Sequence, residues 1–373
     1  MSDGSKVYLR PVGRVSAAHA SENMAFKFAE TGVCYAGAVV YMRATGGTTS
    51  SSYFSAKQIL TQLDSCAPTV QASLKAQIDW FARRREPIKL PSGNMLAFTK
   101  PLVMGVLNVT PDSFSDGGKY LSSQDAVRRA RSMAASGADI VDIGGESTRP
   151  GATPVWEGEE AERIVPVIEA MAEESVALSV DTRNSFVMQK AFDAGAHIIN
   201  DVSALTHDPD SMSFIANSDM PVILMHAQGA PETMQDNPEY DHVLLDVYDY
   251  LADRIDACVS AGVSRGRIIV DPGIGFGKRV VKDNIALING ISIFHTLGCP
   301  VLLGASRKRF IGAITGVDNA EERVIGSVVT AAAAVAEGVN IVRVHDVAET
   351  VEAVKMIQAF TDASVMDGAL SSG

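Results

Sequence analysis

Eight short apolar runs in this 373-residue chain each end in side chains that can do chemistry. The residues at these ends are Asn108, Asp142, Asp181, Asn200, Met225 with His226, Asp271, Ser306-Arg307-Lys308, and Arg343 with His345. Buried carboxylates and amides need partners, so Asp181, Asn200 and Asp271 together suit a flat heterocycle rich in N–H donors and ring nitrogens. Lys308 is placed to reach a ring carbonyl or nitrogen, and Met225 and Phe276 to cover the faces of the ring. Arg343 and His345, with Arg149 from the loop that follows Asp142, form a cationic notch for a phosphate-type leaving group. No activated nucleophile or nucleophile–base pair marks a covalent intermediate, so catalysis must rest on positioning and charge. Plainer roles exist for single members: Asp181 before Thr182-Arg183 also suits a helix cap, a lone His226 a structural role, and Arg307 to Arg309 a solvated charge run. The coincidence of polar residues with the run ends favours one shared site.

The elements that must hold these residues are legible in the same runs. Leu102 to Leu107 has the continuous apolar character of a strand buried on both faces, and it empties into a polar loop that closes at Gly117-Gly118. A short pattern then repeats. Ser136-Gly137-Ala138-Asp139-Ile140-Val141-Asp142 matches Ala194-Gly195-Ala196-His197-Ile198-Ile199-Asn200, and both match Glu337-Gly338-Val339-Asn340-Ile341-Val342-Arg343. In each copy a glycine closes a helix, a strand follows, and a polar residue stands five positions after the glycine. Strands are predicted near 102–107, 138–143, 176–181, 197–200, 221–225, 267–271, 300–304 and 340–344. Eight strand–helix units over about 260 residues fit a (β/α)8 TIM barrel, whose strand ends converge on one mouth. An open doubly wound sheet would show a glycine fingerprint that is absent, because Pro272 and Lys278 flank Gly273 to Gly277 where glycines would be required.

The first ninety-odd residues have a different texture and read as a small accessory α/β segment, 1–94, of unknown role. Ala38–Arg43 is a candidate strand, Gly46–Ser52 a flexible loop, and Glu86–Asn94 a linker. Val70, Leu74, Ile78 and Phe81 recur at helical spacing, ending in a solvated Arg83-Arg84-Arg85. The catalytic barrel is expected over 95–363 and a tail over 364–373. The net charge of −12 argues against nucleic acid. The start lacks the apolar core of a signal peptide, and the longest apolar run, Val324 to Ala336, suits a packed helix better than a membrane span. Cys34, Cys66, Cys258 and Cys299 are scattered and read as reduced thiols of a cytoplasmic protein.

The run from Asn108 to Gly118 also resembles the signature of the dihydropteroate synthase family. Its other motifs follow in the family's order: Asp142 to Pro150, Val180-Asp181-Thr182, Ile199-Asn200-Asp201, Met225-His226, Asp271-Pro272-Gly273, Ser306-Arg307-Lys308 and Arg343-Val344-His345. The resemblance spans Pro101 to about Phe360. It implies condensation of 6-hydroxymethyl-7,8-dihydropterin diphosphate with p-aminobenzoate, giving 7,8-dihydropteroate and diphosphate. By that resemblance Asp181, Asn200, Asp271 and Lys308 bind the pterin, Asn108 holds Mg2+ on the diphosphate, and Arg343 and His345 grip its oxygens. Phe114 and the Thr148-Arg149-Pro150 loop close over p-aminobenzoate, which is expected to bind second. A homodimer is expected. Two departures stand out: Arg309 where many members have a serine near the aminobenzoate carboxylate, and Ala227 in place of a frequent methionine. The rival readings are a pterin-binding methyltransferase, which needs no diphosphate notch, and a non-catalytic pterin-binding protein, which would have eroded strand ends.

Overall fold

Strand geometry sends alternate side chains to opposite faces, and from Leu102 onward this alternation builds the interior of the molecule in layers. The computed structural model describes residues 5–17, 25–29, 31–110, 119–146, 155–229 and 233–370, with backbone alone at 119–122 and 364–370.

In chain order the elements before the barrel are β1 (Lys6–Val15), β2 (Phe26–Lys27), β3 (Cys34–Arg43), β4 (Thr49–Ser55), α1 (Ala56–Gln62), α2 (Pro68–Ala82), β5 (Ile88–Lys89) and β6 (Met95–Leu96). The barrel follows as β7 (Leu102–Asn108), α3 (Lys119–Ala135), β8 (Ile140–Gly144), α4 (Glu157–Met171), β9 (Ala177–Asp181), α5 (Ser185–Asp193), β10 (Ile198–Asp201), α6 (Ser211–Asn217), β11 (Val222–Met225), α7 (Val243–Ser260), β12 (Ile268–Asp271), α8 (Lys282–Asn289), β13 (Leu302–Leu303), α9 (Arg309–Thr315), α10 (Val324–Ala336), β14 (Ile341–Val344) and α11 (Val347–Leu370). The eight barrel strands pair in the order β12-β11-β10-β9-β8-β7-β14-β13, all parallel. A parallel bridge from Val270 to Val301 joins β12 to the start of β13 and closes the ring. The expected eight-stranded barrel is therefore present, with helices between most of its strands. The repeat glycines Gly137, Gly195 and Gly338 all have positive φ, the left-handed backbone expected where each helix hands over to a strand.

One apolar layer seals the floor. Met104, Ile140, Ala177, Ile198, Ile223, Ile269, Leu302 and Ile341, one from each barrel strand, pack together with Leu102. Ile88, Leu90 and Leu96 join this cluster from below. The stretch Glu86–Asn94 is therefore no linker. Its Ile88–Lys89 strand pairs antiparallel with Met95–Leu96, and the hairpin plugs the base of the barrel. Two positions above each floor residue stands the layer that carries chemistry, including Asp142, Asn200, Met225, Asp271 and Arg343.

The accessory segment is a four-stranded antiparallel sheet in which β3 pairs with β1, β2 and β4. The Gly46–Ser52 stretch is not all loop, since pairing with β3 begins at Thr49. Val7, Leu9 and Val40 face a core shared with α1 and α2, while Tyr8 and Tyr41 face the barrel. Tyr8 Oη donates to Asp249 on α7, Arg10 to the Asn289 carbonyl, Arg14 to Thr361 on α11, and Tyr35 to Glu337. Gln77 of α2 lies along β1 and takes the place of another strand, accepting from Leu9 N and donating to the Val7 carbonyl. The triple arginine is only partly solvated. Arg85 is buried and donates to the carbonyls of Trp80, Arg83 and His295. The stretch read as a C-terminal tail continues α11 to Leu370. Val324–Ala336 is the packed helix α10, and among the described residues no helix is long and apolar enough to cross a membrane. All four cysteines are unpaired, and three are buried.

Candidate active site

The polar layer converges as the alternation requires. Arg343 on β14 stands at its centre, donating from Nε to Asp142 Oδ2 at 2.6 Å and from Nη2 to Asp181 Oδ2 at 2.8 Å. Asn200 Nδ2 donates to the same Asp142 oxygen at 3.0 Å. Asp142, Asp181 and Asn200 come from three consecutive strands, β8 to β10, and Arg343 reaches them from β14 across β7, so that these groups form one buried network. Burial pushes the Asp181 carboxyl up from the usual carboxylate range, Arg343 opposes that, and Asp142 adds to it. Burial alone would weaken the Arg343 charge, but Asp142 and Asp181 outweigh it and hold the guanidinium above its ordinary range. Among the described residues, the other oxygens, Asp142 Oδ1 and Asp181 Oδ1, are buried without a partner, as is Ser179 Oγ. Unpartnered carboxylate oxygens in an apolar wall are costly in isolation and suit a ligand that brings N–H donors.

The opposite wall comes from β12 and β13. Asp271 Oδ1 accepts from Gly273 N at 2.7 Å, and burial raises this carboxyl while Lys308 opposes the shift. Lys308 Nζ donates to the Ile274 carbonyl and lies 4.4 Å from the Phe276 ring centroid. Burial pulls its amine down to about 7, partly offset by Asp271. The loop carrying Phe276 is shaped by Lys278, whose ammonium group is buried. Its Nζ donates to the carbonyls of Gly273 and Phe276, each at 2.9 Å, and to that of His226 at 3.3 Å. It also lies 3.0 Å from His226 Nδ1. Burial and Lys278 hold His226 down to about 2, well below its ordinary value, which keeps the ring neutral. Gly273, at φ +70°, allows the close turn, because a Cβ there would sit 1.9 Å from the His226 carbonyl oxygen.

At the rim, Asn108 ends β7, half-buried, beside Gly144. A Cβ on Gly144 would meet Asp181 Cβ at 3.5 Å and Asn108 Oδ1 at 3.8 Å, so the missing side chain keeps this corner open. His345 is held by Ser306, whose Oγ accepts from His345 N at 3.2 Å and lies 3.1 Å from Nδ1. No group of three His, Cys, Asp or Glu side chains among the described residues is arranged to hold a metal. Among the described residues, Asn108 offers an amide oxygen at the rim. That fits a hard cation such as Mg2+, which keeps water and is held mainly by substrate phosphates.

The structure brings together Asn108, Asp181, Asn200, Met225, Asp271, Phe276, Lys308, Arg343 and His345 around one mouth. It corrects the place of Arg343, which does not stand at the rim beside His345. Two positions earlier on the strand, it lies one layer deeper, engaged with two carboxylates. Phe114, Thr148, Arg149 and Pro150 lie outside the described residues. Asp142 is visible in the sequence as a strand end, and the structure adds its place in the polar network. Its signal was its place two residues after Ile140, matching Arg343 two after Ile341. In the sequence Lys278 marks only a departure from a glycine fingerprint, and nothing in its spacing announces a buried ammonium group.

The sequence profile of the family described as "Pterin binding enzyme" matches residues 104–345. The dihydropteroate synthase of Escherichia coli (strain K12) is 46% identical over 268 residues, covering 72% of this chain and 94% of that protein. A structure of the Xanthomonas albilineans dihydropteroate synthase with 4-aminobenzoic acid superposes with a TM-score of 0.69 at 45% identity, covering 74% of this chain and 97% of that one. The Burkholderia cenocepacia enzyme complexed with 7,8-dihydropteroate gives 0.69 at 42% identity, covering 76% and 100%. With the profile spanning most of the barrel and relatives matched over nearly their whole length, this chain belongs to the dihydropteroate synthase family of pterin-binding enzymes.

Proposed function

We propose that the network of Asp142, Asp181, Asn200 and Arg343 receives the pterin ring of 6-hydroxymethyl-7,8-dihydropterin diphosphate, which the enzyme joins to p-aminobenzoate. The observation that carries this reading is the pair of buried carboxylate oxygens, Asp142 Oδ1 and Asp181 Oδ1, that have no partner among the described residues, beside the Arg343 that bridges the same two carboxylates. Asn200 and Asp271 extend the polar wall, Lys308 reaches the ring from the β13 side, and Met225 and Phe276 cover its faces. The exocyclic methylene then points outward to the rim, where His345 meets the diphosphate, with the Arg343 cation one layer below it. Asn108 would hold Mg2+ there, and the ion would supply charge neutralisation for the leaving group. The C–O bond to diphosphate breaks with its electron pair leaving on the diphosphate, and the carboxylates steady positive charge that develops on the methylene carbon. The aromatic amine attacks that carbon, and the new C–N bond forms as the amine gives up one proton to solvent, yielding 7,8-dihydropteroate and diphosphate. Phe114, Thr148, Arg149 and Pro150 are proposed to complete the p-aminobenzoate side.

A homodimer is proposed through α10 and α11, which pack against each other and leave Ile325 80%, Val329 61%, Met356 54% and Phe360 61% exposed. Unpaired cysteines are consistent with a cytoplasmic location. The test is diphosphate release: purified protein should release it only when pterin diphosphate, p-aminobenzoate and Mg2+ are all present. Release of methyl groups to a corrinoid acceptor, or no release at all, would contradict the assignment.

A further inference from the structure

Between Ser306 and Lys308, both used above, stands Arg307, which the mechanism leaves idle. Its backbone has φ of 60°, in the left-handed region that a long L side chain rarely occupies and that persists only where the surroundings enforce it. Here they do. Arg307 N donates to Ser327 Oγ at 2.8 Å, and its carbonyl accepts from Arg323 Nη1 at 3.0 Å. Its guanidinium forks onto Asp346, Nη2 to Oδ1 at 2.5 Å and Nε to Oδ2 at 3.1 Å. Asp346 is itself buried. The loops after β13 and β14 are thus joined by two adjacent rungs, Ser306 to His345 and Arg307 to Asp346. One rail of this ladder runs on into Lys308, which turns back over Phe276, and the other starts at His345 on the rim. A glycine would take the left-handed turn without strain, so an arginine is worth keeping there only for what its side chain does.

We propose that Arg307, acting through Asp346, is a positioning residue that fixes Lys308 in the ring pocket relative to His345 at the diphosphate rim. The proposal rests on the pterin diphosphate reading above. Ring and diphosphate are two ends of one substrate, and p-aminobenzoate is a separate molecule. A brace between the two ends should therefore act on one substrate's binding and spare the other's.

Steady-state kinetics of Asp346→Asn, Arg307→Gly and the double variant, beside the wild type, tests this. Each single variant should raise KM for pterin diphosphate by about tenfold or more, leave KM for p-aminobenzoate within about twofold, and retain a wild-type circular dichroism spectrum. The double variant should be no worse than the poorer single one, because the pair acts as a unit. Arg307→Lys, which keeps the charge without the fork, should fall between wild type and Arg307→Gly. Should Arg307→Gly not fold, the near-isosteric Asp346→Asn carries the test alone. Folded variants with wild-type kinetics, equal rises in both KM values, multiplicative losses in the double variant, or failure of both single variants to fold would each overturn the brace. A wild type that releases no diphosphate would overturn the reaction itself, and is distinguishable because it needs no variant.

Discussion

Arg343 Nε donates to Asp142 Oδ2 across 2.6 Å, tying β14 to β8 past the intervening β7. The same guanidinium reaches Asp181, so one cation compensates two buried carboxylates. Removing it leaves both without their partner. Arg343→Met is expected to cost about 3–5 kcal/mol of stability, the usual penalty for breaking a buried ion pair from one side. Urea unfolding of the two proteins at pH 7.5 measures this. A loss below about 1 kcal/mol would mean that the carboxylates are compensated by something else.

Asp181→Asn keeps the shape of the network and removes one negative charge. Transition-state stabilisation should fall by about 2–4 kcal/mol, read as kcat/KM for pterin diphosphate. An unchanged kcat/KM would remove Asp181 from the ring site.

Lys278 is the buried residue on which the Phe276 loop hangs. Lys278→Met keeps most of the volume and leaves the carbonyls of Gly273 and Phe276 without their donor, each a loss on the order of 1–3 kcal/mol. KM for the pterin substrate should rise while KM for p-aminobenzoate stays. Equal KM values in variant and wild type would make the ammonium group irrelevant to the loop.

Glu160 on α4 offers a pH prediction. It is fully buried, its Oε2 accepts from Asn184 Nδ2 at 2.8 Å, and Oε1 is unpartnered among the described residues. Burial raises its carboxyl from an ordinary 4.5 to about 7. The folded protein therefore keeps the proton over a range where the unfolded chain has released it. The associated stability is complete below about 4.5 and is lost as pH rises through 7. Glu160→Gln, which mimics the protonated acid, should flatten that slope. The wild type should lose up to about 3 kcal/mol between pH 5 and pH 8 relative to the variant. Parallel stability curves for the two proteins would show that Glu160 is charged in the fold.

A chain beginning at Met95 removes Ile88 and Leu90 from the barrel floor and uncovers Ile291, Ile293 and Phe294 where β1 and α2 pack. It should be insoluble, or bind a hydrophobic dye strongly, whereas the full chain is not. A soluble, active truncation would make the accessory segment dispensable.

The barrel was legible because its signals are local and periodic. Ile140 followed two positions later by Asp142, and Gly137 five positions before Asp142, can be counted along the chain. The hairpin at Ile88 was not legible, since two-residue strands carry no period, and the prolines and glycine around them read as turn chemistry. Arg85 was misjudged for a related reason: a run of arginines is usually solvated, and the carbonyl of His295 that buries this one lies far along the chain. Arg343 is legible as a strand end two positions after Ile341, but its partners are not, because Asp142 and Asp181 lie 201 and 162 residues away.

The plugged floor fixes the traffic of the reaction. With Ile88, Leu90 and Leu96 packed beneath the floor layer, the described residues leave the carboxyl end of the barrel as its door. Both substrates enter and both products leave through the mouth ringed by Asn108, Lys308 and His345. The incoming pterin must wait for the outgoing one, so dihydropteroate should compete with pterin diphosphate for the free enzyme. Turnover at saturating substrate then becomes a question of how quickly that single doorway clears.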